Sequence, residues 1–400
     1  MEKVRYRARR EWNGLEIFDR QGIQSFKITS GPDEEGWLKE NCGQTEPIIR
    51  TPYPKSNLFC SAPKRVYWEI TRTCNLNCAN CYNRYRSVKN EMTFEQQRYL
   101  AQMLYDNGVW IIQLTGGEPT VVPHVWELVA YLSDLGFYVA MGSNGIYSRD
   151  TLNSMLRSPL DWIIISIDDE HEKQAGKATL KHLLPAKETI RALIGANKRV
   201  RVNTLIQRNN YTYEHLEPLA RFCSEHKVES MNCIPLRPFT LEEAVIENQL
   251  KQHEFKTFIT GLKQIRAEYP DVRFFTTLDL EYTSLDNVYV KDKSCAAGRE
   301  GCVISPYGEV YGCSYSLASM PDSTDTERMR FVAGNLSERS FMDIWNDADR
   351  WAIFRYTDQY KHFRCKACTY YTSHKCIGNC PIMVKGSPEA FDPYCYVDIL

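Results

Sequence analysis

Three cysteines lie close together in the segment TRTCNLNCANCYN: Cys74, Cys78 and Cys81, a C-x3-C-x2-C spacing. Three thiolates this close can hold three corners of an iron–sulfur cubane, whose usual complement is four cysteines. One iron is then left for a small molecule. Zinc is the alternative, but structural zinc sites close with four ligands, and no histidine or fourth cysteine lies nearby in sequence. A distant residue would have to complete such a site.

A second group occupies the C-terminal quarter: Cys295, Cys302, Cys313, Cys365, Cys368, Cys376, Cys380 and Cys395, in the phrases CAAGREGC, GEVYGC, CKAC, CIGNC and DPYC. Eight thiolates make two four-coordinate sites, and spacing alone leaves zinc and iron–sulfur clusters both open. Of the 15 cysteines in the chain, Cys42, Cys60, Cys223 and Cys233 remain, and are expected as packing thiols. Cys60, in a linker, fits that expectation least. The histidines show no ligand spacing, and His374 reads as a loop residue.

The elements that must position these groups follow from periodicity. Short apolar runs at 65–71, 109–115, 137–143, 162–168, 200–206 and 228–234 read as strands. Helical stretches separate them, among them residues 92–108, 123–136, 179–196 and 213–226. Repeated β–α units imply a parallel sheet with right-handed crossovers, either doubly wound or an incomplete barrel. The first cysteine group directly follows the first of these strands, where α/β folds place reactive loops. Residues 1–63 form a basic, strand-like extension, a turn at 31–35, a short helix near WLKENC and a proline-punctuated linker. From about residue 291 helix signals thin out, as in a small metal-stapled domain. The expected domains are therefore 1–63, 64–290 and 291–400.

The first cysteine loop resembles the signature of the radical S-adenosylmethionine (SAM) superfamily. That resemblance implies an α/β fold built as an incomplete (β/α)6 TIM-type barrel. It extends to Gly116-Gly117-Glu118-Pro119 after the second strand, which in similar enzymes meets the amino group of SAM. Ser143 and Asn144, Ser166 and Asp168, and Asn203 end or lie in the third, fourth and fifth strands, where the family contacts the SAM carboxylate and ribose. Tyr82 is placed like the family's adenine-side aromatic. The C-terminal cysteines resemble the SPASM extension, with Gly308 opening its Gly-x4-Cys element. By that likeness Cys295, Cys302, Cys313 and Cys380 bind one auxiliary [4Fe-4S] cluster, and Cys365, Cys368, Cys376 and Cys395 a second. The seven-residue gap between Cys368 and Cys376 exceeds the usual five and reads as a loop insertion. The resemblance thus implies three [4Fe-4S] clusters, SAM, and an external donor of flavodoxin or ferredoxin type.

Composition narrows the function further. Forty-nine basic and 50 acidic residues balance to −1, which argues against a nucleic-acid or acidic-membrane binder. Clustered thiols, no secretory signal and no apolar run near 20 residues point to a reducing, cytoplasmic setting. Enzymes with a SPASM extension mostly modify peptides or proteins, so a ribosomally made precursor peptide is the expected substrate. Backbone splicing with loss of a tyrosine-derived fragment, or cross-linking, is the expected outcome. A sulfatase-maturase-like enzyme is the alternative, but that group carries an Asp base where Ser314 stands, so another acid such as Asp168, Asp169 or Glu309 would have to substitute. From another class, a non-enzymatic electron carrier or zinc scaffold would carry the same cysteines without needing the GGEP segment. The N-terminal hairpin resembles the start of a leader-peptide recognition domain, which works by strand addition. The domain's helices are not visible in residues 33–60, implying a remnant completed by a separate small recognition protein. The alternative is a basic hairpin that merely covers the barrel.

Overall fold

The computed structural model describes residues 4–22, 24–51, 58–83, 90–168, 185–237, 243–276, 295–318, 329–356, 359, 361–373, 376, 379–384 and 389–395. Part of the linker, the start of the 179–196 helical stretch, Asp169 and His374 lie outside the described residues.

The chain opens with four strands, β1 (Tyr6–Glu11), β2 (Gly14–Asp19), β3 (Gln24–Thr29) and β4 (Ile49–Arg50), in the order β3-β2-β1-β4. The expected hairpin is thus extended by a strand on each side. Residues 31–35 are not a free turn, because helix α1 runs from Pro32 to Asn41. The reason is legible in hindsight: Pro32 suits a first helical position, and Asp33, Glu34 and Glu35 complement the helix dipole.

The six strands expected from periodicity form as β5 (Arg65–Thr71), β6 (Ile111–Gly116), β7 (Tyr138–Ser143), β8 (Trp162–Ser166), β9 (Val200–Ile206) and β10 (Ser230–Pro235), each parallel to the next. Helices α2 (Phe94–Asp106), α3 (Val125–Leu135), α4 (Arg149–Arg157), α5 (Ala186–Gly195) and α6 (Tyr213–Glu225) connect them, and α7 (Glu243–Glu247) and α8 (Gln252–Glu268) follow. A capping box sets the start of α2: Thr93 Oγ1 accepts from the Gln96 N–H, and Gln96 Oε1 from the Thr93 N–H. Gly136, at φ +103°, ends α3.

The sheet stays open, as an incomplete barrel should. Beyond β10 lies β11 (Arg273–Phe275). On the other side, β12 (Gly301–Ile304) adds parallel to β5, followed by antiparallel β13 (Glu309–Tyr311) and β14 (Val332–Asn335), for ten strands in all. Strands of three or four residues are too short to show a period in sequence. Through β12 the C-terminal part of the chain is continuous with the barrel sheet.

Alternation along the strands divides the two faces. Val66, Trp68, Ile70, Ile163, Ile165, Val200, Val202 and Met231 pack with the helices in the main core. At the bottom of the inner face Phe18 of β2 joins Trp110, Ile111, Tyr138, Ala140 and Trp162, and the Arg201 guanidinium sits 3.9 Å over the Trp162 ring. That layer closes one end of the half-barrel and leaves the strand C-termini as the other. Cys223 and Cys233 are core thiols as expected, but Cys42 is exposed and Cys60 only half-buried. No helix among the described residues is long and apolar enough to cross a membrane.

Candidate cluster and cofactor site

The cysteine loop leaves β5 at Thr71 and is tied down at every few residues. Glu91 accepts from Thr71 Oγ1 at 2.9 Å and from the Arg72 N–H at 2.5 Å. Arg72, almost fully buried, pairs with Glu69 at 2.6 Å and donates to Asn83, just past the third cysteine. Asn75 donates to the Ile146 carbonyl at 2.7 Å and accepts from Asn144 at 2.7 Å. Asn80 donates to Gln207 at the end of β9. The loop therefore spans the open end, anchored to the first, third and fifth barrel strands.

Within it Cys74 is exposed and Cys78 and Cys81 half-buried. The Leu76 N–H donates to Cys74 Sγ and the Asn83 N–H to Cys81 Sγ, each at 3.4 Å. Such N–H···S contacts stabilise the thiolate form that a metal cluster requires. Among the described residues no three His, Cys, Asp or Glu side chains close around one point as a single ion demands. The loop presents an all-sulfur donor set, which fits an iron–sulfur cluster.

The GGEP segment forms the floor beneath this loop. Gly117 N–H donates to the Thr71 carbonyl at 2.7 Å and Glu118 N–H to the Thr73 carbonyl at 2.9 Å. A Cβ on Gly116 would lie 2.3 Å from Thr71 O, and one on Gly117 2.0 Å from Thr73 O, so only glycine permits this approach. Glu118 itself faces inward: its carboxylate accepts from Ser143 Oγ at 2.9 Å, Asn144 N–H at 2.8 Å and Thr120 Oγ1 at 2.7 Å. Burial raises its pKa, and those donors oppose the shift. Pro119 starts a short 3-10 turn that keeps this geometry.

Ser166, Asn203 and Asn232 are register partners on β8, β9 and β10. They lie opposite the helix-facing core residues, on the inner face. The Oδ1 atoms of Asn203 and Asn232 are buried and have no hydrogen-bond partner among the described residues. Buried acceptors are rarely left unsatisfied, so this row is built to meet a donor from a ligand. Asp168 accepts from the Leu205 N–H at 2.8 Å, which holds the β8 end against β9. Tyr82 packs with Leu205, Leu236 and Val245, and its ring centre is 6.0 Å from that of Tyr315. Sequence reasoning missed Asn232, although a lone polar residue in an apolar strand, VESMNCI, was its signal. Tyr315 and Gln207 left no such signal.

The C-terminal cysteines fall into two sets. The thiols of Cys295, Cys313 and Cys380 lie near enough to act on one another, and so do those of Cys365, Cys368 and Cys395. Burial, then Cys295 and Cys380, push the Cys313 thiol up to about 12. Cys376 is held by its N–H to the Tyr370 carbonyl at 3.0 Å. Cys302 lies in β12, fully buried in the main core against which Cys313 and Cys380 also pack, and the charge acting on its thiol is that of Arg355.

Known proteins share this arrangement. The radical SAM superfamily model matches residues 68–223, and the SPASM iron–sulfur cluster-binding domain model matches residues 295–369. The chain belongs to the radical SAM superfamily. As a radical SAM enzyme with a SPASM domain, it is similar to an AdoMet-dependent heme synthase of Nitratidesulfovibrio vulgaris, 23% identical over 362 residues, 83% of this chain and 92% of that protein. It is also similar to the mycofactocin maturase MftC of Mycobacterium tuberculosis, 24% identical over 334 residues, 80% and 78% of the two chains. The crystal structure of Streptococcus suis SuiB bound to S-adenosylmethionine shares the fold at TM-score 0.72 and 16% identity, over 98% of both chains. In this radical SAM fold the cysteine loop, the Gly116–Gly117 floor and the polar strand ends surround one open face.

Proposed function

We propose that the protein is a maturase of a ribosomally made precursor peptide. In this reading Cys74, Cys78 and Cys81 hold the SAM-binding cluster, and Gly116, Gly117, Ser143, Asn144, Ser166, Asn203 and Asn232 line the SAM cradle, with Tyr82 at its edge. Glu118 shapes the cradle rather than facing the cofactor, because its oxygens are already occupied by protein donors. Cys295, Cys313 and Cys380 hold one auxiliary cluster, and Cys365, Cys368, Cys376 and Cys395 the other. When bound, cluster and SAM together supply one-electron cleavage of the sulfonium to a 5′-deoxyadenosyl radical, which takes a hydrogen atom from the substrate. The chain orients the cofactor through the strand ends. The aromatic layer at Phe18, Trp110 and Trp162 closes the far end of the half-barrel, which limits water entry.

The observation that carries the peptide reading is the N-terminal sheet. Its edge strand β3 is the most exposed of the three long strands, and no described strand covers its outer edge. An extended peptide can add there through main-chain hydrogen bonds. The reading is supported by SuiB bound to its precursor peptide SuiA, which matches 99% of this chain at TM-score 0.73, and by the maturase relatives. One helix, α1, packs Trp37 against this sheet, so it is a more complete module than a bare hairpin. Backbone splicing or cross-linking remains the proposed outcome, with a flavodoxin or ferredoxin-type donor in a reducing cytoplasm and, where the module needs it, a small recognition protein. The formylglycine alternative gains nothing from Ser314, which offers no carboxylate.

The test is anaerobic reconstitution with iron and sulfide counting, then a 5′-deoxyadenosine assay with and without peptides encoded beside the gene. Near twelve irons, SAM cleavage and a mass change in one peptide are expected. Stoichiometric zinc without cleavage overturns the enzyme reading, and cleavage with no peptide modified overturns the substrate reading.

A further inference from the structure

Arg237 stands two residues beyond β10, at the junction of the barrel and the C-terminal segment. Its guanidinium lies 5.6 Å from the Tyr394 ring centre, and Tyr394 Oη donates to the Leu236 carbonyl at 2.6 Å. Its Nη1 is buried, makes no hydrogen bond among the described residues, and sits 3.5 Å from Asp392 Oδ2. That same carboxylate oxygen accepts the Cys380 N–H at 3.3 Å, and Asp392 Oδ1 the Tyr394 N–H at 3.0 Å. A buried guanidinium N–H without an acceptor costs on the order of 1–3 kcal/mol, and the 3.5 Å ion pair with Asp392 is long for a hydrogen bond, so a closer acceptor would stabilise this N–H.

Three thiols share this site. The positive charge of Arg237 acts on Cys295, Cys313 and Cys380, and Asp392 is its counter-charge. Arg299 also acts on Cys295, and the neutral phenols of Tyr315 and Tyr394 adjoin Arg237. The cation acting on Cys365 is Lys361.

We propose that Arg237 is a positioning residue for the auxiliary cluster of Cys295, Cys313 and Cys380: its buried Nη1–H is aimed at a cluster sulfur, and its charge makes that cluster easier to reduce than its neighbour. The inference rests on the auxiliary-cluster reading above. Net charge and hydrogen bonds to sulfur are among the determinants of iron–sulfur potentials. A thiolate-ligated cubane is anionic, and reduction adds a further negative charge. A fixed guanidinium therefore favours the reduced form, while Asp392 moderates the effect.

The test uses the full chain with Cys74→Ala, Cys78→Ala and Cys81→Ala, which removes the SAM-binding cluster and leaves the auxiliary signals. Midpoint potentials are read by redox titration followed by electron paramagnetic resonance. In this background Arg237→Gln is expected to shift one midpoint to a more negative value and leave the other in place, with iron unchanged. Asp392→Asn is expected to shift the same midpoint the opposite way, and decides the matter if Arg237→Gln loses iron. Unchanged midpoints at full iron overturn the role of Arg237, as does an equal shift of both. Fewer than about eight irons in the background chain itself overturns the cluster reading instead.

Discussion

Glu118 accepts the backbone N–H of Asn144 at 2.8 Å. This one bond joins the GGEP turn after β6 to the end of β7, and Asn144 in turn holds Asn75 beside Cys74. The acidic residue of the motif thus acts on the cysteine loop through the protein.

Truncation at this position should uncouple the two ends. Glu118→Ala strands the buried Asn144 N–H and Ser143 hydroxyl, at about 1–3 kcal/mol for each unpaired donor. The expected result is a lower denaturation midpoint together with weaker SAM binding, measured by urea titration and calorimetry. Normal SAM affinity in a destabilised protein would show that the carboxylate serves stability alone.

The two glycines give a steric test. Gly117→Ala drives a Cβ to 2.0 Å from the Thr73 carbonyl and displaces the loop. Iron retained after anaerobic gel filtration should fall by about one cluster in three, the auxiliary pair being spared. Gly36→Ala, in α1 with open space around it, is the control and should raise stability by about 0.5–1 kcal/mol.

Phe18 stacks on Trp110 at 5.6 Å and 11°, fastening the N-terminal sheet to the barrel. Phe18→Ala should cost about 3–5 kcal/mol in that contact. Limited proteolysis should then release the first sixty or so residues early. SAM cleavage without peptide should persist, because the cluster loop lies at the opposite strand ends.

Cys302 and Cys313 are eleven residues apart, and in the proposed reading only Cys313 is a cluster ligand. Cys302→Ala should keep the full iron content, losing only the packing of a small buried thiol. Cys313→Ala should lose about one auxiliary cluster. Equal iron loss in the two variants would restore Cys302 as a ligand.

Glu254 gives a pH signature. Despite burial, the Lys251 N–H at 2.7 Å and Arg208 at 2.9 Å hold its carboxyl below the usual range. A depressed native pKa adds stability above the unfolded value, and this is lost as pH falls through the native one. Glu254→Gln should therefore be less stable than the natural chain near neutrality, with the gap closing below pH 4.5. A gap independent of pH, read by thermal melts, would refute the charge argument.

Local pattern carried much of this protein. Six barrel strands, the cysteine loop and the Gly116–Gly117 turn are legible because short continuous apolar runs, close thiol spacing and a two-glycine turn are properties of neighbouring residues. The second half of α1 is legible as the short helix near WLKENC, while its start at Pro32 reads as a turn because Gly, Pro and Asp also favour turns. Tertiary structure alone decided which thiols meet. Cys302 owes its place in the main core to β12 pairing with β5, beside Val66. Asn232 gains its meaning from lying in register with Asn203 and Ser166, and Arg237 from Asp392, 155 residues further on. Such pairings arise from sheet order and packing, which act between distant parts of the chain and leave no mark on any one segment.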